Sequence, residues 1–397
     1  MDTNGVYQQQ PFEDLITSMD SLNEKELQND SVARARIAAS ARRLCQRLES
    51  PWERIARMVW AEPLVAIATQ IAIKSNLFQA LHEQDSPRTA NELAEITKTD
   101  PNVIHRMARI LATVHILEKR EPDAYVKTPT SEAMLSATAG SGMNFLFNVA
   151  YPYYAEVPDF YRENGYKTHV KIGPFQKHFK MEVPIYDWLA EHPDHMSDFV
   201  GLMKVWDKTQ EPWVDLYPTE VLLEGSSQER AVLVDVAGGG GRDIDAFLQK
   251  HPQTAGRLVL QDRAEVLETA KIGEGIERKP HDFFTAQPVK GARAYFMHSV
   301  LHNWSDEDAR NILGNLKRVM QPGYSKILVY EDTIRDKNPT ELGCGMDLTM
   351  LLAFGNGGRT ESEWKTLFDS AGLKPNKIYH SGRGDQCLME LESESEQ

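Results

Sequence analysis

The stretch Ala231-Val-Leu-Val-Asp-Val-Ala-Gly-Gly-Gly-Gly241 decides the fold class of this chain. Residues 231–236 form a short, mostly apolar run, which is typical of a strand buried on both faces. The glycines that follow let the backbone approach a ligand closely, and they lead into a predicted helix whose first amides would point at that ligand. A tight turn without a ligand is the alternative interpretation of these glycines.

Strand and helix patterns continue to alternate beyond the glycine loop. Further strands are predicted at 257–262, just before residue 281, at 292–300 and at 326–332. Helices are predicted through about residue 250 and at 264–271, 305–320 and 360–371, and two short strands close the chain. Repeated βα units predict an α/β fold with a Rossmann-like, doubly wound parallel sheet, in which ligands bind at the carboxyl ends of the strands.

An acidic residue follows the glycine loop at the distance expected of a nucleoside site. Asp262 ends the second strand 21 residues after Gly241, and an acid about 20 residues after such a loop binds ribose hydroxyls. A dinucleotide-binding loop would carry a further glycine where this chain has Ile244, which disfavours an NAD-dependent oxidoreductase. The loop and Asp262 therefore predict a nucleoside ligand.

Two further strand ends carry residues suited to chemistry. The Asp282 carboxylate could accept a hydrogen bond from the amino group of an adenine, and the Phe283 ring could stack on it. An ordinary strand end with no ligand is the alternative interpretation of these two residues. His302 follows the next strand, where an imidazole could act as a general base, and a helix cap or a surface residue is the alternative. Glu331, at a later strand end, could bond the far imidazole nitrogen of His302 and hold its tautomer.

The N-terminal half is predicted to be mostly helical. Apolar residues recur at helical spacing over 62–81, and two more short helices and a β-ribbon over 118–128 follow. This order of elements is that of a winged helix. Residues 140–225 are rich in aromatic side chains, which are either ordinary core or the wall of a pocket for an aromatic ligand. Residues 31–58 favour one or two helices broken near Pro51, and the polar residues before them are expected to be weakly ordered.

Composition excludes several classes of protein. The chain has 397 residues, of which 41% are hydrophobic, and a net charge of −14, which disfavours nucleic acid as a partner. Cys45, Cys344 and Cys387 are too few and too far apart for a disulfide framework or a zinc cluster. No stretch reaches the roughly 18 continuous apolar residues of a membrane span, and the N-terminus lacks the features of a secretory signal. We therefore expect a globular cytoplasmic protein with no metal and no membrane partner.

Five segments together resemble S-adenosylmethionine-dependent O-methyltransferases. They occur in the order seen in that family: the glycine loop with Asp235, Gln261-Asp262, His281-Asp282-Phe283, the stretch 301–306 (Leu-His-Asn-Trp-Ser-Asp), and Arg359-Thr360 with Glu363-Trp364. The chain is similar to the caffeate- and flavonoid-type enzymes and their fungal secondary-metabolite relatives from about residue 55 to the C-terminus. The winged-helix block is a dimerisation module in that family, so the resemblance implies a homodimer.

The resemblance also implies a role for individual residues around S-adenosylmethionine (SAM). Gly239 and Gly241 would approach the amino acid part of the cofactor, and Asp262 would bind its ribose. Asp282 and Phe283 would hold the adenine, and His298 stands where a basic or polar residue often helps to hold the cofactor.

The same resemblance implies a catalytic base and an acceptor pocket. His302 matches the base that removes a phenol or enol proton, and Glu331 matches one of two carboxylates that frame it. Phe199 and Met203 match positions that line the acceptor pocket, whose shape is also expected to depend on Met346 and Met350. The implied activity is methylation of a hydroxyl on a small aromatic or polyketide-type natural product, with no metal.

Four segments are expected from these patterns. They are an N-terminal extension (1–50), a winged-helix-like dimerisation domain (51–140), a helical linker and substrate-pocket segment (141–225) and the SAM-binding domain (226–397).

The chain departs from the family pattern near its base. Asn303 stands where an aspartate is common, and Gly357-Gly358 precede Arg359 where the second framing carboxylate is expected. The segment that begins at Asp347 is one residue short. These departures leave a second function open. The chain would then be an enzyme of the same fold that keeps the cofactor but catalyses pericyclic ring closure or dehydration without methyl transfer.

A winged-helix regulator that binds DNA is an alternative of another class. Its recognition helix would begin at Pro101 and carry His105, Arg106 and Arg109, which are too few cations for a chain of this charge.

Overall fold

The computed structural model describes residues 17–19, 21, 30–120, 122–167, 172–183, 185–337, 339–355, 357–382 and 384–393. Most of the predicted weakly ordered N-terminal segment lies outside these residues. The chain divides into two compact units, Met1–Arg57 and Met58–Gln397.

Two helices follow each other at the N-terminus, α1 (Ser31–Leu48) and α2 (Pro51–Trp60). The Asp30 side chain caps α1 by accepting a 2.8 Å hydrogen bond from the Ala33 amide. Proline can begin a helix but cannot continue one, and the break falls at Pro51 as predicted. Arg57 bridges the break by a 2.7 Å ion pair to Glu49.

The next block contains four helices and three short strands. They are α3 (Glu62–Lys74), α4 (Leu77–His82), β1 (Arg88–Thr89), α5 (Ala90–Thr97), α6 (Pro101–Thr113), β2 (Glu118–Arg120) and β3 (Ala124–Val126). Thr89 and Glu92 form a reciprocal capping box that begins α5. The predicted ribbon is confirmed as β2 and β3, and β1 adds a third strand that pairs with β3.

One helical stretch among the described residues, Pro51–Lys74, could cross a membrane by its length and composition. Only 22% of its most apolar window is buried. Helices from the cores of ordinary globular proteins and signal sequences satisfy the same criteria, so this is weak evidence for a span. The absence of a membrane partner stays a prediction.

The aromatic-rich middle of the chain is helical, as predicted. Its elements are α7 (Pro129–Ala133), α8 (Ala137–Phe145), a π-helical segment (Leu146–Ala150), α9 (Tyr151–Tyr154), α10 (Val157–Glu163), α11 (Pro174–Phe179), α12 (Ile185–Glu191), α13 (Pro193–Thr209), α14 (Trp213–Leu216) and a 3-10 turn (Thr219–Leu222).

The C-terminal part alternates strands and helices. Its elements are β4 (Leu233–Val236), α15 (Arg242–Lys250), a 3-10 turn (Pro252–Thr254), β5 (Leu258–Asp262), α16 (Ala264–Thr269), β6 (Ile276–Pro280), β7 (Ala294–His298), a 3-10 turn (Leu301–Asn303), α17 (Asp306–Lys317), β8 (Lys326–Ile334), α18 (Glu341–Phe354), β9 (Arg359–Thr360), α19 (Glu361–Ser370), β10 (Leu373–His380) and β11 (Gln386–Ser393).

These strands form one sheet in the order β10-β11-β8-β7-β4-β5-β6, with β9 paired to the end of β8. The strands from β8 to β6 pair in parallel, which confirms the predicted α/β sheet. The two final strands that the sequence predicts are present, and each has eight residues; they pair antiparallel, so the sheet is mixed. Antiparallel neighbours need only a tight connection, and five residues separate these strands.

Apolar side chains cover both faces of the sheet. Alternate residues of β8 divide between two buried clusters, with Ile327 and Val329 on one face and Leu328 and Tyr330 on the other. Because the central strands are parallel, the loops after β4, β5, β6, β7 and β8 all leave the same edge of the sheet, which we call the carboxyl edge. Every predicted cofactor-binding or catalytic residue lies in or next to these loops.

Gly241→Ala should destabilise the chain more than Gly256→Ala. Both glycines have nearly the same left-handed φ, +82° and +81°, so each alanine costs roughly 1–2 kcal/mol of backbone strain. Only at Gly241 would the added methyl collide with Ile272 and come within 3.0 Å of Leu260, which adds roughly 1–3 kcal/mol. Urea unfolding measures both free energies, and equal losses would contradict the packing of the loop described here.

Candidate functional site

The glycine loop lies between β4 and α15 with an open backbone. Gly239 has φ +56° and Gly241 has φ +82°, so both occupy the left-handed region that glycine adopts at little cost. A Cβ built on Gly239 or Gly240 would meet no atom of the described residues within 4 Å. The loop therefore presents free space and backbone at the start of a helix, as the sequence predicts.

Asp262 joins this loop to the end of β5. Its Oδ2 accepts a 2.9 Å hydrogen bond from the Gly239 amide, and its Oδ1 accepts one of 2.7 Å from the Arg263 amide. The structure thus brings together the loop and the acid that the sequence placed 21 residues apart.

Asp282 and Phe283 follow β6, the neighbour of β5. Asp262 pairs in register with Pro280, and the His281 amide donates to the Asp262 carbonyl over 3.0 Å. The Asp282 side chain is exposed and accepts from the Phe284 amide at 3.0 Å. The Phe283 ring lies edge-on to Trp304, with centroids 5.7 Å apart. Both predicted adenine-binding residues therefore lie at the carboxyl edge beside Asp262.

His298, at the end of β7, is paired within the protein. Its Nδ1 lies 2.7 Å from Oδ2 of Asp243, which stands in the first turn of α15. Burial raises the pKa of Asp243, but the hydrogen bond and charge of His298 and the cation of Arg242 outweigh it and lower that pKa overall. His298 thus links the end of β7 to the helix that follows the glycine loop.

Asp235, in β4, is the buried acid beneath the loop. Its side chain is almost fully enclosed. Burial first, and then the charges of Asp243 and Asp262, raise its pKa well above the usual value. Asp235 therefore keeps its proton to a higher pH than an exposed aspartate does.

His302 lies in a 3-10 turn just beyond β7 and faces the end of β8. Its Nδ1 lies 2.7 Å from Oε2 of Glu331, a fully enclosed carboxylate, while 23% of the His302 side chain remains exposed. A carboxylate only accepts hydrogen bonds, so Nδ1 must donate, and the neutral ring then carries its lone pair on Nε2. The predicted pairing of His302 with Glu331 is present.

The other oxygen of Glu331 holds the backbone of the same turn. Oε1 accepts from the amides of Val300 and Leu301 at 2.9 and 2.7 Å. Ser305 then ends the turn and begins α17, since its side chain accepts from the Asp308 amide. One carboxylate therefore fixes both the turn and the tautomer of its histidine.

Opposing influences act on the pKa of His302. Burial lowers it, whereas the charge and hydrogen bond of Glu331 and the charge of Asp332 raise it, and the cation of Arg359 lowers it. The balance leaves the pKa above the usual histidine value. His302 therefore holds its proton to a higher pH than an ordinary histidine does.

Sequence reasoning missed two residues near His302. Asp332 follows Glu331 directly, and burial and the Glu331 charge raise its pKa to about 6, although His302, His298 and Trp206 partly offset this. The sequence marks Arg359 only as part of a motif, yet its side chain bonds the carbonyls of Leu301 and Trp304. The position of Asp332 next to Glu331 could have drawn attention to a second carboxylate, but no local signal marks the contacts of Arg359.

The structure accounts for the Gly357-Gly358 departure from the family pattern and leaves Asn303 without an explanation. Asp347, on α18, accepts a 2.6 Å hydrogen bond from the Gly358 amide. A Cβ at Gly357 would lie 2.7 Å from the same Asp347 oxygen, so this carboxylate fills the space left by the two glycines. The side chain of Asn303 is exposed and reaches the Ser299 carbonyl at 3.5 Å.

The residues predicted to line an acceptor pocket lie on α13 and α18. Phe199 contacts Phe145 and Tyr186, with ring centroids 5.5 and 5.9 Å apart, and Tyr186 contacts Phe354 at 5.5 Å. The other three predicted residues are half-buried on the same two helices, namely Met203, Met346 and Met350. Their role in binding stays a prediction.

No group of three or more histidine, cysteine, aspartate or glutamate side chains that could hold a metal ion was found in the part of the chain that the structure describes.

Two family models match the chain. Residues 168–374 match a model described as an O-methyltransferase domain, and residues 65–137 match one described as an O-methyltransferase dimerisation domain.

Individual proteins are similar over almost the whole chain. O-methyltransferase mfmE of Annulohypoxylon moriforme is 34% identical over 392 residues, covering 98% of this chain and 97% of the relative. The structure of LepI in complex with SAM is 28% identical with a TM-score of 0.81, and it covers 96% of this chain and 100% of that chain. A structure described as a pericyclic reaction enzyme has the same identity and coverage with a TM-score of 0.82.

Glu331→Gln should lower the pKa of His302. The amide keeps the shape of the side chain but removes the negative charge that favours the imidazolium, while burial and Arg359 still favour the neutral ring. An NMR titration of the histidine Cε1–H resonances, with His302 assigned by its loss in His302→Gln, measures this shift. Asp243→Asn alters the other histidine–carboxylate pair and should leave the His302 titration in place. An unchanged His302 pKa in Glu331→Gln would refute the pairing.

Proposed function

The chain belongs to the SAM-dependent O-methyltransferase family, and from this we propose that it methylates a hydroxyl of a small aromatic or polyketide-type natural product with His302 as general base. The observation that carries the proposal is the His302–Glu331 pair at the carboxyl edge. Its geometry holds a proton on Nδ1 and leaves Nε2 as the acceptor. That is the state in which an imidazole removes a proton from a hydroxyl.

The residues at the carboxyl edge fit the family's cofactor. The open space above Gly239 and Gly240 is a cradle that any side chain would partly fill. Asp262 lies within hydrogen-bond distance of that loop and offers a carboxylate suited to ribose hydroxyls. The exposed Asp282, which follows the adjacent strand, and the Phe283 ring offer a hydrogen-bond acceptor and a stacking surface suited to an adenine.

The protein's own groups supply the proton transfer. SAM, when bound, supplies a methyl group on a sulfonium that is already a good leaving group. His302 Nε2 takes the hydroxyl proton while the acceptor oxygen forms a bond to the methyl carbon and the carbon–sulfur bond breaks. The buried Glu331 carboxylate stabilises the imidazolium that results. A phenol has an ordinary pKa near 10, so this proton transfer matters at neutral pH.

Aromatic rings support an aromatic acceptor. A hydrophobic cluster includes buried Phe145, Tyr153, Phe175 and Trp188, with Leu352 of α18. Exposed Tyr186 lies between Phe199 and Phe354 at the margin of this cluster. Flat rings of this kind pack favourably on a planar ligand.

We also propose that the protein is a homodimer. Residues 65–137 match a dimerisation domain, and α3 leaves Leu64, Ile67 and Ile71 exposed at 47%, 40% and 39%. Apolar side chains repeated at helical spacing on one surface are typical of an interface between protomers. A monomeric mass in solution would contradict this proposal.

A second candidate is a pericyclase or dehydratase that binds SAM without using its methyl group. Its support is the likeness to the pericyclic reaction enzyme and the glycine at position 358, where the family places a carboxylate. The intact His302–Glu331 pair favours methyl transfer instead. Radiolabelled methyl groups distinguish the two, since only a methyltransferase moves the label into its product.

His302→Gln should abolish most methyl transfer while cofactor binding persists. Loss of a general base costs roughly 100- to 10,000-fold in rate. The assay follows label from SAM into products over a panel of phenolic natural products, and calorimetry measures SAM binding in parallel.

In the wild-type chain, kcat/KM should rise with pH through the raised pKa of His302, because only the neutral ring can accept a proton. His298→Gln removes the other histidine near the end of β7 and serves as the control; the rise of kcat/KM with pH should persist in this variant. Full transfer by His302→Gln would exclude His302 as the base.

Asp262→Asn should weaken the binding of SAM and of S-adenosylhomocysteine alike. A hydrogen bond to a charged group is worth about 1.5–3 kcal/mol, which corresponds to roughly 10- to 150-fold in Kd. Calorimetry measures this change, with Asp215→Asn on α14 as a control. Unchanged affinity for both ligands would contradict the proposed ribose contact.

A further inference from the structure

We propose that Arg359 is a positioning residue for His302, because its guanidinium holds the carbonyl side of the turn whose amide side Glu331 holds. This inference rests on the proposed function only in taking His302 as the base. The contacts of Arg359 with the turn are present in the structure whatever reaction the protein catalyses.

The turn that carries His302 has little intrinsic support. It consists of three residues of 3-10 helix, Leu301–Asn303. The residue two positions earlier, Ser299, has φ +54°, a left-handed conformation that is strained for a side chain other than glycine. Such a turn keeps its shape only if the surrounding structure holds it.

Arg359 supplies that support from β9. Its Nη1 donates to the Leu301 carbonyl at 2.9 Å, and its Nη2 donates to the Trp304 carbonyl at 2.6 Å. These two carbonyls lie on either side of His302 in the chain. The planar fork of arginine presents a separate nitrogen to each carbonyl, a fixed geometry that the single ammonium nitrogen of a lysine does not reproduce.

The guanidinium is itself held in place. Its Nε donates to Asp306 at 2.9 Å, and its central carbon lies 5.0 Å from the ring centroid of Trp364. Only 10% of the side chain is exposed. A buried arginine with all three nitrogens bonded and a ring against one face has little freedom to move.

Charged groups reach His302 from several elements. Glu331 and Asp332 come from β8, and both favour the protonated ring. Arg359 comes from β9 and opposes them, while Asp306, at the start of α17, is bound to Arg359. His298, at the end of β7, faces Asp332. Arg359 is thus the cation that limits how far the carboxylates raise the pKa of His302.

The chain contains a matched control at the opposite edge of the sheet. Arg293, just before β7, donates to the carbonyls of Tyr324 and Val221, and its guanidinium carbon lies 5.1 Å from the Tyr324 ring centroid. Both arginines therefore join two carbonyls over an aromatic ring. Only Arg359 is next to His302.

The test compares lysine and methionine variants at both positions. Arg359→Met should raise the pKa of His302, because the opposing cation is lost, whereas Arg359→Lys keeps the charge and should leave that pKa near its wild-type value. Arg359→Lys should still lower kcat on the order of 10- to 100-fold, because the forked contact is lost and the base is misplaced. The Kd for SAM should not change. Arg293→Lys and Arg293→Met should change neither the His302 pKa nor kcat by a comparable amount.

The readouts separate this inference from the proposed function. The NMR titration of His302 and amide hydrogen exchange over residues 299–304 need no activity, and faster exchange there in Arg359→Lys than in Arg293→Lys is expected. If the wild-type chain transfers no methyl group, the proposed function fails while these two measurements still decide the role of Arg359. If Arg359→Met does not fold, the comparison of amide hydrogen exchange between Arg359→Lys and Arg293→Lys decides whether Arg359 positions the turn. Equal exchange in the two lysine variants, or an unchanged His302 pKa in a folded Arg359→Met, would overturn the inference.

Discussion

The carboxylate of Glu331 is the interaction on which the candidate site depends. Its side chain is fully enclosed, yet it receives three hydrogen bonds, from the amides of Val300 and Leu301 and from Nδ1 of His302. A buried charge is costly unless its lone pairs are satisfied, so the turn beyond β7 must keep this shape as long as Glu331 is ionised. The same requirement sets the tautomer of the histidine, which links the stability of the turn to its chemistry.

The rest of the site follows from the order of the strands. β4 lies between β5 and β7, and β7 lies beside β8. The glycine loop and Asp262 therefore stand on one side of β4, while His298 and the His302 turn stand on the other. Asp243 connects the two halves, since it belongs to the helix after the glycine loop and contacts His298. The glycine loop and the His302 turn come to the same edge of the sheet because parallel strands all end there.

Much of this arrangement can be predicted from local sequence. The apolar run before the glycines, Asp262 at the end of a strand and His302 just after one are all local patterns, and the structure confirms the strands that they predict. Glu331, expected at a strand end, lies inside the longer β8. Asp347 and Arg359 are different cases. Asp347 is separated from Gly358 by a helix turn and a loop, and Arg359 is more than fifty residues from the carbonyls that it bonds. No periodicity or motif spacing reports such contacts, because they arise only when β8, β9 and α18 are assembled.

The sequence by itself determined the α/β class, the glycine loop between β4 and α15 and the residue types available for chemistry, since these depend on side-chain periodicity, glycine freedom and spacing along the chain. Only the tertiary structure decided the antiparallel direction of the last two strands, the filling of the Gly357-Gly358 gap by Asp347 and the support of the His302 turn from both sides. The physical reason is that hydrogen bonds between distant segments are selected by which surfaces pack together. That choice is made by the whole fold and is not written in any one segment.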